Sequence, residues 1–150
     1  MGQSLTKVYV HIVFSTRNRQ KIIDEQIEDS LFEYIGGICK ELKCYPVKVG
    51  GYLDHIHILC ILSKHIAHVK LVETIKKQSS KWVKLKGQKY VNFYWQSGYA
   101  IFSINYNRID IVERYILNQK KHHQQNSFKN ELLEHLKDND MDYNEEYLWT

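Results

Sequence analysis

A chain of 150 residues, 43% of them hydrophobic, is long enough to bury one core, and no apolar run approaches the roughly 20 residues of a membrane span. The net charge of +4 is unevenly distributed, because residues 131–150 hold seven acidic residues and one lysine. Residues 1–130 are therefore basic, which favours a polyanionic partner such as nucleic acid. Three cysteines without paired spacing indicate a reduced, cytoplasmic protein. We expect one domain over residues 1–150 that ends in an acidic segment.

The first part of the chain predicts a strand, a basic loop and a long helix. Residues 5–15 are apolar on both faces and predict a covered strand, in which His11 is expected to be a hydrogen-bonded core histidine. The loop Arg17–Lys21 then holds three cations, a pattern that fits either a solvated turn or a phosphate-binding site. Apolar residues three and four apart predict a helix over residues 24–43, beginning at Asp24. Close packing against the sheet would explain its two interior glycines.

The segment from residue 52 to residue 62 gives a strong strand signal. Its aliphatic and β-branched residues follow Gly50-Gly51, which we expect to bend or break the preceding strand at residues 47–49. Side chains alternate along a strand, so His55 and His57 point to the same face, about 7 Å apart. Because a buried imidazole needs a partner and the strand is otherwise apolar, a divalent metal ion is one partner that would satisfy both histidines.

Lysines mark one face of the second predicted helix, over residues 66–86. They recur at intervals of seven, four and three residues, which places them on the same side of a helix. Such a stripe fits either a solvated face or a surface that binds phosphates. The residues that we assign to a DNA-binding surface are Arg17, Arg19, Lys70, Lys77, Lys81, Lys84 and His122.

The remainder of the chain predicts one more strand and two helices. Residues 93–104 combine aromatic and β-branched residues and predict a turn and a fourth strand. A helix is expected from Asn107, its cap, to about Gln124, followed by a short helix over residues 127–136. The order β-α-β-β-α-β-α predicts an α+β, ferredoxin-like fold, with an antiparallel βαββαβ sheet, helices on one face and a further helix after the fourth strand.

The third helix offers a nucleophile and a metal ligand to complement the histidine pair. Tyr115 and Gln119 are four residues apart and are therefore neighbours on one helix face, beside an apolar stripe that borders the core. Alone, a helical tyrosine is usually a packing residue and such a glutamine usually a surface residue. Asp54 is either a residue that orients a ligand histidine or a plain acid at a strand end. The histidines without an assigned role are His65, His68 and His135.

Together these motifs resemble the single-tyrosine HUH transposases of small bacterial insertion sequences and their repeat-associated relatives. The similarity covers nearly the whole chain. It includes the first strand and basic loop at residues 10–17, the histidine strand at 54–59 and the entry to the fourth strand at 95–99. Residues 115–123 are similar to the nucleophile helix of that family, and residues 131–149 are similar to its C-termini.

The resemblance implies a role for each candidate residue. Such enzymes cut and rejoin single-stranded DNA near hairpins with Mg²⁺ or Mn²⁺, through a 5′-phosphotyrosine intermediate. By this resemblance His55, His57 and Gln119 would bind the ion, and Tyr115 would attack the scissile phosphate. Nitrogen ligands favour Mn²⁺ somewhat over Mg²⁺, which prefers oxygen. The resemblance also implies a homodimer, and it leaves open whether Tyr115 serves its own site or its partner's.

Two other functions are compatible with the sequence. One is a related HUH nickase, such as a replication initiator or relaxase, although the short chain and the late position of the tyrosine helix favour the transposase branch. The other is a catalytically silent, nucleic-acid-binding ferredoxin-like module in which His55 and His57 only pack. Uptake of Mn²⁺ and nicking of single-stranded DNA would distinguish an enzyme from such a module.

Overall fold

The sheet has four antiparallel strands in a computed structural model that describes residues 2–123 and 125–150. Met1 and Gln124, the expected end of the third helix, lie outside the described residues. The strands are β1 (Val8–Ser15), β2 (Pro46–Tyr52), β3 (His55–Leu62) and β4 (Ala100–Ile104). Their order is β2-β3-β1-β4, so the two central strands are not adjacent in sequence, as in a ferredoxin-like βαββαβ unit. The predicted fold class is confirmed.

Helices cover both faces of the sheet and not one face as predicted, because a helix that follows β4 in the chain packs on the second face. Those of the described residues are α1 (Glu28–Glu41), α2 (His68–Lys84), α3 (Ile109–Leu117), α4 (Gln119–His122), α5 (Phe128–Asp138) and α6 (Glu145–Leu148). The helices α1 and α2 pack on one face, where aliphatic side chains from both helices, β1 and β3 form the larger core. On the other face, Val13 and Phe102 pack against Leu132 and Leu136 of α5. This second face carries His55 and His57.

Several element boundaries differ from the prediction by a few residues, most of all at the first helix. The first helix begins at Glu28, because Asp24 caps a preceding turn in which its Oδ1 accepts a hydrogen bond from the Gln26 N–H at 3.1 Å. The predicted turn and fourth strand agree with the structure, since residues 93–99 form a loop with one bridge between Thr16 and Trp95, and β4 follows at Ala100.

The predicted third helix is interrupted. It breaks at Asn118, where ψ is 18°, so that α3 ends at Leu117 and α4 begins at Gln119. The Asn105 side chain caps the short 3₁₀ turn Tyr106–Arg108 before α3 by accepting from the Asn107 N–H at 3.3 Å, and the N-cap of α3 is Arg108 and not Asn107. The break leaves Tyr115 and Gln119 on the same side, as the site below shows.

The packing expected at Gly36 and Gly37 is loose, since a Cβ at Gly36 would lie 3.9 Å from Cγ of Pro46 in β2, and the closest approaches occur at Gly50 and Gly51 instead. A Cβ at Gly37 would meet nothing within 4 Å, whereas one at Gly50 would lie 2.8 Å from Cγ2 and 3.0 Å from the backbone O of Ile116. A Cβ at Gly51 would clash with the His55 backbone O. The two glycines therefore do not break β2; they let α3 lie directly on it and keep the β2–β3 hairpin tight.

Two predictions from the composition concern the cysteines and membrane-spanning segments. All three cysteines are free thiols buried in the larger core. None of the helices within the described ranges combines the length and apolar character needed to cross a membrane.

Candidate active site

Two histidine nitrogens and two oxygens converge on the face of β3 covered by α3, α4 and α5. His55 and His57 are fully buried there. The His55 Nε2 lies 2.8 Å from Gln119 Oε1 and 3.6 Å from Glu131 Oε1, and the His57 Nε2 lies 2.8 Å from the same Glu131 oxygen. Ligand atoms around one octahedral ion with bonds of about 2.1 Å lie about 3 Å apart. These four atoms therefore have the spacing of a metal-ligand set.

The proton on His55 supports this interpretation. Its Nδ1 lies 2.7 Å from Asp54 Oδ1, and because a carboxylate only accepts, Nδ1 carries the hydrogen. A neutral ring then presents the Nε2 lone pair to Gln119 Oε1. The amide cannot be reversed without loss, since its Nε2 donates to Glu131 Oε2 at 3.2 Å. Two acceptors facing each other at 2.8 Å require a cation, either a proton or a metal ion, so the residues present fit a divalent ion.

His11 contacts the ring nitrogen of His57 that does not face Glu131. The His11 Nε2 lies 2.8 Å from the His57 Nδ1, and both rings are buried, as expected for a core histidine. For His57 to bind an ion through Nε2, its Nδ1 must donate to His11. Burial, with a further contribution from His57 and His135, lowers the pKa of His11 well below its usual value, so it stays a neutral acceptor. Burial also lowers the pKa of His57 to about 4, although Glu131 opposes this effect.

We expect His11→Leu to weaken Mn²⁺ binding about 10- to 100-fold, because His57 would lose the acceptor that fixes its tautomer. Isothermal titration calorimetry with Mn²⁺ measures the change. His11→Gln offers an amide oxygen to the same N–H and should recover most of the affinity. If all three proteins bind Mn²⁺ equally, His11 does not position His57.

Tyr115 meets the same cluster from α3. Its hydroxyl donates to Glu131 Oε2 and lies 3.3 Å from His135 Nε2. Its ring centroid is 5.7 Å from that of His57 in the same chain. Burial first, and then the charge of Glu131, raise the pKa of Tyr115 above that of a free phenol. The tyrosine is therefore held protonated in this arrangement.

Glu131 is a site residue that the sequence analysis missed. It lies on α5 with 1% exposure. Burial raises its pKa, but the adjacent His123 and His57 rings lower the pKa far more, so the carboxylate is charged. A signal was present, since Glu131 falls on the apolar stripe of Phe128, Leu132 and Leu136, and a carboxylate on a buried stripe needs cationic partners. His135, which had no predicted role, also belongs to this cluster.

Comparisons with known proteins agree with this geometry. Residues 4–119 match the family model of the IS200-like transposases. The chain belongs to this family. A candidate transposase from Deinococcus radiodurans R1 shares the fold at 18% identity, with a TM-score of 0.62 over 79% of this chain and 96% of the other. A REP-associated tyrosine transposase bound to a REP hairpin matches at 19% identity, with a TM-score of 0.59 over 82% of this chain and 73% of the other. No curated protein matches.

The resemblance to single-tyrosine HUH transposases is thereby confirmed.

A basic groove lies between α2 and residues 94–99. Lys77, Lys81 and Lys84 line this groove. Lys70, assigned to the same surface, lies outside this lining and pairs with Glu73 at 3.6 Å. The structure therefore brings together three of the four assigned lysines.

Lys76, which was not assigned to the DNA-binding surface, lies on α2 and holds the loop that forms the opposite wall of the groove. Its Nζ donates to the backbone oxygens of Gln96 at 2.8 Å, Ser97 at 3.3 Å and Gly98 at 2.6 Å. Burial lowers the pKa of Lys76 to about 8. Lys76 thus fixes the loop that forms the groove, while Lys77 and Lys81 are exposed and the Lys84 Nζ donates to Ser80 Oγ at 3.1 Å.

The assigned arginines stack on aromatic rings beside this groove. The Arg17 guanidinium lies 4.8 Å and the Lys84 ammonium 4.0 Å from the ring of exposed Tyr94, and the Arg19 guanidinium lies 4.9 Å from the ring of Trp149. Cations next to aromatic faces suit both phosphates and unpaired bases. His122 is not part of this surface, since it lies beside Glu131.

The loop of the groove lies at the end of the sheet where β3 begins with His55. Ser15, the last residue of β1, pairs with His55, and its N–H donates to Gln96 Oε1 at 2.7 Å. The loop of residues 94–99 is therefore anchored next to His55.

Proposed function

We propose that this chain is a metal-dependent transposase that cuts and rejoins single-stranded DNA at hairpin ends through a phosphotyrosine intermediate. The observation that carries the proposal is the meeting of Tyr115 with the ligand atoms of His55, His57, Gln119 and Glu131 within one chain. Family membership supports the transposase activity. The similar transposase bound to a REP hairpin supports a hairpin as the DNA partner.

The ion would be held by the two histidines, Gln119 Oε1 and Glu131 Oε1. When bound, a divalent ion withdraws charge from the phosphate oxygens and favours in-line attack. Glu131 adds an anionic oxygen to the ligand set expected from the sequence. Because Mg²⁺ prefers oxygen ligands, this carboxylate makes Mg²⁺ a candidate as well as Mn²⁺.

The protein's own residues supply the nucleophile and the base. The Tyr115 oxygen forms a bond to the scissile phosphorus while the bond from phosphorus to the 3′ oxygen breaks, which leaves a 5′-phosphotyrosine and a free 3′-hydroxyl. The phenolic proton can pass to His135 Nε2, 3.3 Å away, since burial lowers the pKa of His135 and keeps it neutral. The phosphotyrosine preserves a phosphate ester, so a 3′-hydroxyl can rejoin the DNA without ATP.

The alternatives differ in how well they fit these contacts. A silent module would need only a proton between the acceptors of His55 and Gln119, and it would leave the contact of Tyr115 with the same cluster without a chemical role. A replication initiator or relaxase would use the same chemistry, and family membership favours the transposase. The homodimer implied by the resemblance is not needed to complete the site, because Tyr115 contacts the cluster of its own chain.

A cleavage assay tests the proposal. We would incubate the full chain with a pool of single-stranded oligonucleotides that carry a hairpin and randomised flanks, in the presence of Mn²⁺ or Mg²⁺. The expected result is a covalent protein–DNA adduct that survives denaturant, requires the ion and is prevented by EDTA. Fully duplex DNA of the same composition is the control and should give none. A pool that is neither cut nor attached with either ion would contradict the proposal.

A further inference from the structure

We propose that His122, His123 and Glu131 form a second divalent-cation site, joined to the first by the two oxygens of the Glu131 carboxylate. Glu131 Oε1 faces His55 and His57. Its Oε2 lies 3.1 Å from His122 Nε2 and 3.0 Å from His123 Nε2, and the three ligand atoms lie within 4.8 Å of one another. Two imidazoles and a carboxylate oxygen suit Mn²⁺ or Zn²⁺. The inference deepens the proposed function, which requires only one ion.

The hydrogen bonds of His123 point to a cation at its Nε2. Its Nδ1 lies 2.6 Å from the backbone O of Asn126, which can only accept, so Nδ1 carries the hydrogen. The Nε2 of a neutral ring then faces two more acceptors, Gln119 Oε1 at 2.8 Å and Glu131 Oε2 at 3.0 Å. An acceptor surrounded by acceptors needs a positive charge between them.

His122 contributes a buried nitrogen that lacks a hydrogen bond within the described part of the chain. Its Nε2 makes none to any residue of 2–123 or 125–150, although Glu131 Oε2 is 3.1 Å away. Such an atom is unfavourable unless it acquires a partner, and a metal ion at Oε2 would provide one. The His122 side chain is 30% exposed, so the position can be reached from solvent.

Protons on the histidines are the competing explanation. Burial lowers the pKa of His123, but the Glu131 carboxylate raises it more, and the net pKa is raised. A proton and a metal ion would therefore compete for the same nitrogen. Counting bound ions distinguishes the two.

A second ion would act on the nucleophile. The Tyr115 hydroxyl shares Glu131 Oε2 with His122 and His123. A cation there would stabilise the phenolate as the phenolic proton passes to His135, the base of the proposed mechanism. The site would thus counteract the burial and negative charge that keep Tyr115 protonated.

The stoichiometry of Mn²⁺ binding to the metal-free full chain tests the inference. Calorimetry should give two ions per chain, and electron paramagnetic resonance should show the two ions magnetically coupled. The double variant His122→Ala/His123→Ala should bind one ion without coupling. His65→Ala/His68→Ala removes two exposed histidines elsewhere and should still bind two. If the alanine pair does not fold, as judged by circular dichroism, His122→Gln/His123→Gln replaces it.

Three results would overturn the second site. One ion per wild-type chain, bound equally by the double variant, would show that His122 and His123 are not ligands. One ion whose affinity falls in both the double variant and His57→Ala would place all these histidines on a single ion. A wild type that binds no Mn²⁺ would contradict the proposed function as well, which separates that failure from the other two.

Discussion

Tyr115→Phe should abolish both DNA cleavage and the covalent adduct, a loss of roughly 10⁴-fold or more, which is typical for removal of a nucleophile. The variant removes one oxygen and keeps the ring that packs beside His57, His122 and His135. Folding, DNA binding and Mn²⁺ binding should therefore change little. Gel electrophoresis under denaturing conditions measures the adduct, and calorimetry measures the ion.

Two other tyrosines provide the controls for this prediction. Tyr106 is exposed and its ring centroid lies 6.3 Å from that of Tyr9. The Tyr99 hydroxyl is hydrogen-bonded to His68 Nδ1 at 2.7 Å. Tyr106→Phe and Tyr99→Phe should retain the adduct. Sequencing of the DNA-linked peptide from wild type gives an independent result. A peptide that carries Tyr99 or Tyr106, or an adduct formed by Tyr115→Phe, would remove Tyr115 from the mechanism.

Local periodicity was sufficient to predict the parts of the site that lie on one element. Alternation along a strand places His55 and His57 on one face, and helical spacing places Tyr115 near Gln119. The sequence order of strands and helices was also sufficient for the fold class, since few topologies connect β-α-β-β-α-β compactly. Each of these inferences needs only neighbours in the chain.

Contacts between elements that are distant in the sequence could not be predicted from such patterns. Glu131 reaches His57 because α5 crosses the sheet, a placement that spacing within α5 cannot give. The approach of α3 to β2 depends on the missing side chain of Gly50, and the sequence shows only that two glycines occur there. Tertiary packing decides which glycine lies under a helix and which faces open space.

Helix periodicity was also too coarse to separate neighbouring lysines. Lys76 and Lys77 differ by one position, or about 100° around the helix. That rotation directs Lys76 to the backbone oxygens of the 94–99 loop, while Lys77 remains exposed in the groove. Lys70, two turns earlier, is already beyond the groove. The lysine stripe predicted from the sequence therefore differs from the lining of the groove, which lacks Lys70 and includes Lys76.

Neutralising Lys77, Lys81 and Lys84 together should weaken binding of single-stranded hairpin DNA about 100-fold at 0.1 M salt. Three lost phosphate contacts would reduce the slope of log affinity against log salt by about 2 units, at roughly 0.7 for each contact with a single strand. Fluorescence anisotropy over a series of salt concentrations measures both quantities. Glutamine replacements keep the length of the side chains that cover the groove.

The matched control is the triple variant Lys40→Gln/Lys43→Gln/Lys64→Gln. These exposed lysines carry the same total charge but lie next to the opposite end of β3 from His55, where residue 46 pairs with residue 60. Removing them lowers the overall positive potential equally and should leave the slope nearly unchanged, because no phosphate contact is lost. Lys70→Gln should behave like the control, since Lys70 lies outside the groove and pairs with Glu73. If both triple variants reduce the slope by the same amount, net charge and not the groove attracts the DNA.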